Sequence, residues 1–398
     1  MSDQPDAARY RWLVLGVFVV STAINYLDRQ LLAALAPVLK AEFRISNAQF
    51  GLMLAAFGLT NALSAPFAGT LLDRIGLNRA ISLAIGLWSG AGIATGFTRG
   101  LGTLVGCRAV LGIAEGAGIP SAGKAIRQYL KPAERALGHA MNQGGVSLGI
   151  ALAPVVGAWV TARAGWRQAF VLTGVLGLLW IPCWNWVAAR SESASGPGVE
   201  PGAGRELLRD RRLWAFFLAN ALSMILYSLW FNWTTLFLAD VHHLTLVRTA
   251  WYAWIPPVGA TVGGIAGGWL SLRLMLGGVP AMTARFRVCL AASVLALATA
   301  AVPAMPSPGW AAAAISLSFL SVAAFSVNMY SLPLDAFPST HAAFTVSVLV
   351  ASTGVTTVVA SPVIGWVVDH YGYTPVTSFA APMPLVACVV LWGTRSVR

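Results

Sequence analysis

The feature of this sequence that most restricts its fold is a recurring apolar stretch of about 18 to 25 residues, long enough to cross a hydrocarbon core as an α-helix. Twelve such stretches follow one another with mostly short connections. They lack the long polar faces that buried helices of a soluble protein would carry. We therefore predict an all-α membrane protein with twelve transmembrane helices, over residues 12–34, 48–71, 80–97, 101–123, 136–161, 168–189, 213–238, 250–272, 288–305, 310–332, 343–366 and 374–393.

Composition supports a bilayer as the solvent, because 57% of the 398 residues are hydrophobic and only 10% are charged. A net charge of +12 is also found in proteins that bind nucleic acid. However, the 26 basic residues are spread over the connections and form no single patch, so no nucleic-acid binding is predicted.

The basic residues instead indicate a topology. With the N-terminus inside, alternate connections carry an excess of Lys and Arg of about threefold, as the positive-inside rule expects of cytoplasmic segments. Both termini are then cytoplasmic. We expect a monomeric multi-pass protein of a cell membrane, and of the bacterial inner membrane in particular.

No metal site, disulfide or enzyme motif is predicted. The cysteines Cys107, Cys183, Cys289 and Cys388 all fall within predicted spans without C-x-x-C spacing, so we expect small buried thiols. The sequence contains no phosphate-binding loop, nucleophile elbow or H-E-x-x-H motif. The chain is therefore not expected to be an enzyme or to hold a cofactor.

One connection differs from the others. Residues 190–212 are rich in Gly, Pro, Ser and charge, which is typical of a linker, and they separate six predicted spans from the next six. On either side, "APVVGAWVTARAGW" from Ala153 resembles "SPVIGWVVDHYGY" from Ser361, and "GTLLDR" from Gly69 resembles "GWLSLR" from Gly268. We predict two six-helix bundles, residues 1–189 and 213–398, related as parallel repeats.

Ionisable residues inside spans are the strongest functional candidates, because each costs about 2.5 to 3.5 kcal/mol on insertion scales. Asp28 and Arg29 lie in the first span, and Arg108 and Glu115 in the fourth. The latter two are seven residues apart, about two turns, so they share nearly one helix face and are expected to line one cavity. An alternative is that these residues only hold helices together or reach an interface.

Charged residues also end the second span, in "GTLLDRIGLNR". Asp73, Arg74 and Arg79 stand where a carboxylate can cap a neighbouring helix and latch two helices together. This segment is predicted to be a gating element and not a binding site, with an ordinary charged turn as the alternative.

"GTLLDRIGLNR" resembles the loop signature of the major facilitator superfamily, with Leu77 and Asn78 where basic residues are usual. More narrowly, "INYLDRQ", "GCRAVLGIAEGAGIPSAGKAI" and "NQGGVSLGIALAP" resemble the anion:cation symporter family of hexuronate, galactonate and glucarate transporters. The resemblance implies proton-coupled symport of a small organic anion, with protons as the coupling ion.

The same resemblance implies roles for individual residues. Asp28 and Glu115 would be protonated, Arg108 would modulate Glu115, Arg29 would hold the substrate carboxylate and Tyr26 would line the cavity. Further polar or aromatic candidates for substrate recognition lie in other spans, where packing or bonding between helices is the alternative: Asn61, Tyr227, Trp230, Asn232, Asn328, Ser352 and Thr353.

Two rival functions stay open. "GIALAPVVGA", residues 149–158, partly resembles an antiporter motif, which would make the chain a proton-coupled exporter of drugs or lipids. A membrane sensor that does not transport would bind its ligand without exchanging it across liposomes.

Overall fold

The computed structural model describes residues 5–131, 134–190, 205–338 and 341–395, and every regular element within these ranges is helical. The first half of the chain contains α1 (Pro5–Ala34), α2 (Ala36–Phe43), α3 (Asn47–Ile75), α4 (Leu77–Gly96), α5 (Leu101–Glu115), α6 (Gly118–Tyr129), α7 (Arg135–Ala164) and α8 (Trp166–Ala188). The second half contains α9 (Arg211–His242), α10 (Leu246–Ala253), α11 (Ile255–Leu276), α12 (Ala281–Ala296), α13 (Pro308–Ala336), α14 (Ala342–Tyr371), α15 (Tyr373–Ala380) and α16 (Met383–Arg395). Short 3-10 helices cover Arg205–Arg209 and Leu297–Ala304.

Each predicted span falls on one helix or on two consecutive helical segments. Two of the interruptions occur at glycine or proline. The helix of the fourth span breaks between α5 and α6 at Gly116, and α15 gives way to α16 next to Pro382. Proline cannot donate to the helical ladder and glycine is a weak helix former, so both favour such breaks.

By length and composition, ten helical spans of the described residues are apolar enough to cross a membrane. The other two predicted spans correspond to α4 and α11. In α11 the hydropathy is diluted by glycines that serve close packing. A Cβ atom on Gly259, Gly263 or Gly267 would overlap the backbone of α13, so small residues at every fourth position let the two helices touch.

The chain divides into two compact units. Of the described residues, 5–38 and 56–190 belong to the first unit. Its apolar core joins α1, α4 and α8, where Phe18 packs edge-on against Trp184 and Trp180 stacks on Trp184 at 5.2 Å between ring centroids. This core fixes the position of α1, which carries Asp28 and Arg29, against α4 and α8.

The second unit comprises residues 39–55 and the described residues from 205 onward. Its core gathers apolar residues of α9, α12, α13 and α16, among them Phe216, Phe325 and Leu391. The segment 39–55 packs on α9 and α14, where the Phe50 ring meets the Trp233 ring edge-on at 5.5 Å.

Helix pairing is alike within each unit. In the first unit α7 packs along α1, and in the second α14 packs along α9. The helices α7 and α14 also carry the matching prolines Pro154 and Pro362. These are the two helices that the internal sequence similarity pairs.

Candidate functional site

Asp28 and Arg29 are consecutive on α1, so their side chains leave the helix about 100° apart. Asp28 is 2% exposed and points toward α4 and α8. Its Oδ1 accepts a hydrogen bond from Thr173 Oγ1 of α8 at 2.8 Å. A Cβ atom on Gly92 of α4 would lie 3.2 Å from the same oxygen, so the missing side chain makes room for the carboxylate.

Arg108 is the cation associated with Asp28. It lies on α5, is 2% exposed, and its charge acts most strongly on Asp28 and next on Glu115. The guanidinium carbon stands 5.5 Å from the centre of the Phe170 ring. Asp28, Arg108 and Thr173 are therefore buried together among α1, α5 and α8.

Arg29 points the other way and pairs with Glu115, the last residue of α5. Arg29 Nε lies 3.5 Å from Glu115 Oε2, and the Glu115 side chain is only 2% exposed against 27% for Arg29. Aromatic rings support the guanidinium, whose carbon is 4.3 Å from the centre of the Phe57 ring and 5.6 Å from that of Tyr26. Arg29 is thus the most accessible of the four charged groups.

The four charged groups form one electrostatic unit. The strongest charge interaction of Glu115 is with Arg29, followed by those with Asp28 and Arg108. Two acids and two bases cancel formally, which lets them persist in a low-dielectric interior. Removing or neutralising any one of them leaves a net charge that the other three must accommodate.

Asn61 of α3 lies beside this unit and bonds to backbone. Its Nδ2 donates to the carbonyl oxygen of Gly112 at 3.3 Å, one turn before Glu115. Gly112 allows the approach, because a Cβ atom there would overlap Thr60 and the Phe57 carbonyl. Asn61 therefore positions the end of α5 that carries Glu115.

The predicted gating residues fall at the turn between α3 and α4. The Asp73 side chain lies outside the described part of the structure, and Arg74 and Arg79 are exposed. Gly76 makes this turn with φ of +81°, which favours glycine. Lys124 Nζ donates to the Leu72 carbonyl at 2.9 Å and so caps the last turn of α3.

In the second unit, several candidates engage their own or neighbouring helices. Asn328 is fully buried, donates to the Gly267 carbonyl at 3.2 Å and accepts from Ser271, which joins α13 to α11. Asn232 donates to the Ser228 carbonyl of its own helix at 3.1 Å.

Two aromatic candidates of α9 differ in exposure. Trp230 is 1% exposed and meets Phe237 edge-on. Tyr227 is half-buried and stacks on Phe231 with ring centroids 5.3 Å apart. Of this pair, Tyr227 is the one with accessible surface.

Ser352 and Thr353 of α14 meet an asparagine that sequence reasoning missed. Asn220 Nδ2 of α9 donates to Ser352 Oγ at 2.7 Å and to Thr353 Oγ1 at 3.2 Å. Tyr330 of α13 places its hydroxyl 3.4 Å from Thr353 Oγ1. The signal available in the sequence for Asn220 was an amide within an apolar span. For Thr173 of α8 it was a lone hydroxyl within an apolar span.

The described residues contain no group of three or more His, Cys, Asp or Glu side chains that could hold a metal ion. All four cysteines are free, and Cys289 and Cys388 are buried whereas Cys183 is exposed.

Comparison with known proteins places the chain in a family. The model of the Major Facilitator Superfamily matches residues 18–346. The chain is 25% identical to a hexuronate transporter of Escherichia coli (strain K12), over 96% of this chain and 93% of that protein. It is 28% identical to a galacturonate transporter of Dickeya chrysanthemi, over 66% of this chain and 81% of that one.

A solved structure shows the same fold. It is the crystal structure of a bacterial homologue of the human lysosomal transporter Spinster in an inward-facing, unoccupied conformation, with a TM-score of 0.77 at 19% identity over 98% of this chain and 96% of that chain. The chain belongs to the Major Facilitator Superfamily and is a multi-pass membrane transporter, not an enzyme.

Proposed function

We propose that the chain is a proton-coupled symporter that imports a small organic anion, such as a sugar acid, by alternating access. The observation that carries this proposal is the Arg29–Glu115 ion pair, with Arg29 partly exposed and Glu115 buried. The relatives named as hexuronate and galacturonate transporters support a sugar acid as the substrate class.

Arg29 would bind the substrate carboxylate. A guanidinium presents five donors in a fixed fork and can hold a carboxylate through two parallel hydrogen bonds. The rings of Phe57 and Tyr26 beside it restrict its orientation, which lowers the entropy lost on binding.

An arriving carboxylate competes with Glu115 for Arg29. If the substrate takes over the guanidinium, Glu115 becomes a buried carboxylate separated from its closest cation, which is energetically costly. Binding a proton removes that charge. Substrate binding and protonation of Glu115 would then favour each other, as symport requires, with Asp28 as a second protonatable group.

The membrane orientation that we propose rests on the charge distribution. The excess of basic residues on alternate connections supports cytoplasmic termini in a bacterial inner membrane. With a proton gradient directed inward across that membrane, symport would concentrate the anion in the cell.

The test is uptake of radiolabelled galacturonate by purified protein in liposomes with an imposed pH gradient. Glu115→Gln mimics the protonated acid permanently, so it should abolish accumulation against the gradient while counterflow remains at a measurable fraction of wild type. The matched control is Glu134→Gln, which removes a glutamate paired at 3.4 Å with Arg11 and should keep accumulation. Accumulation at the wild-type level by Glu115→Gln would refute the coupling role.

Substrate export would give the opposite result in the same assay. An antiporter would release galacturonate from liposomes in exchange for protons and would not take it up with them. Saturable binding without uptake or counterflow would identify a sensor instead.

A further inference from the structure

The Thr173 hydroxyl has two acceptors within reach. Its Oγ1 lies 2.8 Å from Asp28 Oδ1 and 3.1 Å from the carbonyl oxygen of Phe170, one turn earlier on α8. Thr173 is 1% exposed. A threonine hydroxyl carries one proton and two lone pairs, so it can donate to only one of the two acceptors at a time.

Each choice of acceptor suits one charge state of Asp28. When the carboxylate is ionised, Thr173 donates to Oδ1 and stabilises the negative charge. When Asp28 is protonated, its O–H can donate to Thr173 Oγ1, and Thr173 then donates to the Phe170 carbonyl. Every proton has an acceptor in both arrangements, and only the hydroxyl hydrogen has to turn.

Thr173 is the side chain that donates a hydrogen bond to the Asp28 carboxylate. Within the described part of the chain, Asp28 Oδ2 accepts no hydrogen bond, so Thr173 supplies the hydrogen bond to this carboxylate through Oδ1. An unsatisfied buried polar group costs free energy, so losing Thr173 would not be neutral. The charged groups that act on Asp28 come from α5, namely Arg108 and Glu115. Arg29 of α1 is paired with Glu115.

Gly92 of α4 adds to the geometry. Its missing side chain makes room for the carboxylate, because a Cβ atom on Gly92 would lie 3.2 and 3.3 Å from the two oxygens. The α4 backbone therefore lies close to the carboxylate and limits its movement. Gly92 offers no side-chain donor to it.

We propose that Thr173 is a positioning residue that lets Asp28 take up and release a proton inside the helix bundle, by turning its hydroxyl between Asp28 and the Phe170 carbonyl. The proposal rests on the proposed proton-coupled function and assigns a role in it to a residue outside the charged groups.

The experiment measures proton-driven galacturonate uptake in liposomes across a range of pH for the wild type and for Thr173→Val, which keeps the shape and removes the hydroxyl. The hydrogen bond to the ionised carboxylate is the stronger of the two that are lost. The pH midpoint of uptake should therefore move upward by about one unit. Thr173→Ser should restore the wild-type midpoint.

Thr95→Val is the matched control. Thr95 is also 1% exposed, and its hydroxyl donates at 2.8 Å to the Ala91 carbonyl of its own helix, so its loss should leave the midpoint unchanged. If Thr173→Val does not fold, Thr173→Cys, whose S–H is only a weak donor, should move the midpoint in the same direction by a smaller amount.

Infrared difference spectroscopy gives a second readout. The carbonyl band of protonated Asp28, assigned by its loss in Asp28→Asn, should shift in Thr173→Val and keep its position in Thr95→Val. An unchanged midpoint together with an unshifted band, in a protein that still shows proton-driven uptake, would overturn the proposal. Absence of proton-driven uptake in the wild type would instead overturn the proposed function.

Discussion

At the residue scale, Arg29 is partly exposed and contacts both an aromatic ring and a buried carboxylate. Its guanidinium carbon is 4.3 Å from the Phe57 ring centre, and its Nε is 3.5 Å from Glu115. Arg163 stands at the same 4.3 Å from the Trp159 ring centre, on an exposed face of α7. The two positions share the ring contact and differ in the carboxylate.

Arg29→Lys tests whether the planar fork matters. Lysine keeps the charge but binds a carboxylate as a point charge without two parallel hydrogen bonds, so we expect the KM for galacturonate to rise by about tenfold or more. Arg163→Lys should leave KM within about twofold, because it changes a surface contact. The KM values of the two variants are measured by uptake into liposomes. Equal KM values would mean that the substrate carboxylate does not bind to Arg29.

The residues of the charged unit could be predicted from sequence, but their partners could not. A spacing of seven on one helix indicates that Arg108 and Glu115 share a face. Their strongest electrostatic partners are nevertheless different, Asp28 for Arg108 and Arg29 for Glu115. Asp28 itself is placed by Gly92 and Thr173, which lie on helices distant in sequence and carry no charge to mark them.

At the element scale, α11 and α13 offer a clean test of packing. A Cβ atom on Gly263 would overlap the backbone of Leu320, whereas one on the adjacent Gly264 would lie 3.6 Å from a Val327 methyl group, an ordinary contact. Gly263→Ala should therefore destabilise the protein by about 1 to 3 kcal/mol through overpacking. Gly264→Ala should be neutral or slightly stabilising, since alanine is the better helix former.

Thermal unfolding in detergent, followed by light scattering or by the fluorescence of a thiol dye, measures this difference. We expect a lower Tm for Gly263→Ala only. Equal Tm values for the two variants would mean that the helices can separate at no cost, contrary to their close contact.

The N-terminus of α3 is capped by side chains, which stabilises the helix. The backbone N–H groups of Asn47 and Ala48 each donate to a carboxylate oxygen of Asp369 at 2.9 Å. Ser46 and Gln49 add reciprocal side-chain bonds to each other's backbone N–H groups, at 2.9 and 3.1 Å, as in a capping box. An acid placed at a helix N-terminus also interacts favourably with the helix dipole.

Asp369→Ala removes both acceptors and should cost about 1 to 2 kcal/mol of stability, the range for losing an N-terminal cap. Asp369→Asn retains one acceptor oxygen and should fall between the wild type and Asp369→Ala. The same thermal unfolding assay ranks the three proteins. A Tm of Asp369→Ala equal to that of the wild type would contradict a stabilising cap.

Sequence reasoning located the elements well because the length of an apolar stretch is a strong signal. It could not foresee that Asp369 caps a helix more than 300 positions away, since hydropathy carries no information on helix partners. It also placed the fourth span in one helix, where the backbone breaks after Glu115.

At the scale of the whole molecule, the predicted bundles and the observed units differ in one segment. The prediction divides the chain at the linker, residues 190–212, which lies largely outside the described residues. In the structure, residues 39–55 group with the second unit because they pack on α9 and α14. Composition marks a linker clearly, but it cannot show to which unit the tip of a helix attaches.

The membrane orientation is the remaining whole-molecule prediction. Basic residues concentrate on the connections that we assign to the cytoplasm, and the energetics of insertion favour that side for Lys and Arg. A fluorescent protein fused after Arg398 should therefore fluoresce in a bacterial host, and alkaline phosphatase at the same point should be inactive. Truncation after Gly100, in the connection between α4 and α5, should reverse both readings because we assign this connection to the opposite side. Active phosphatase after Arg398 would require an odd number of crossings or an inverted chain, and would contradict the predicted orientation.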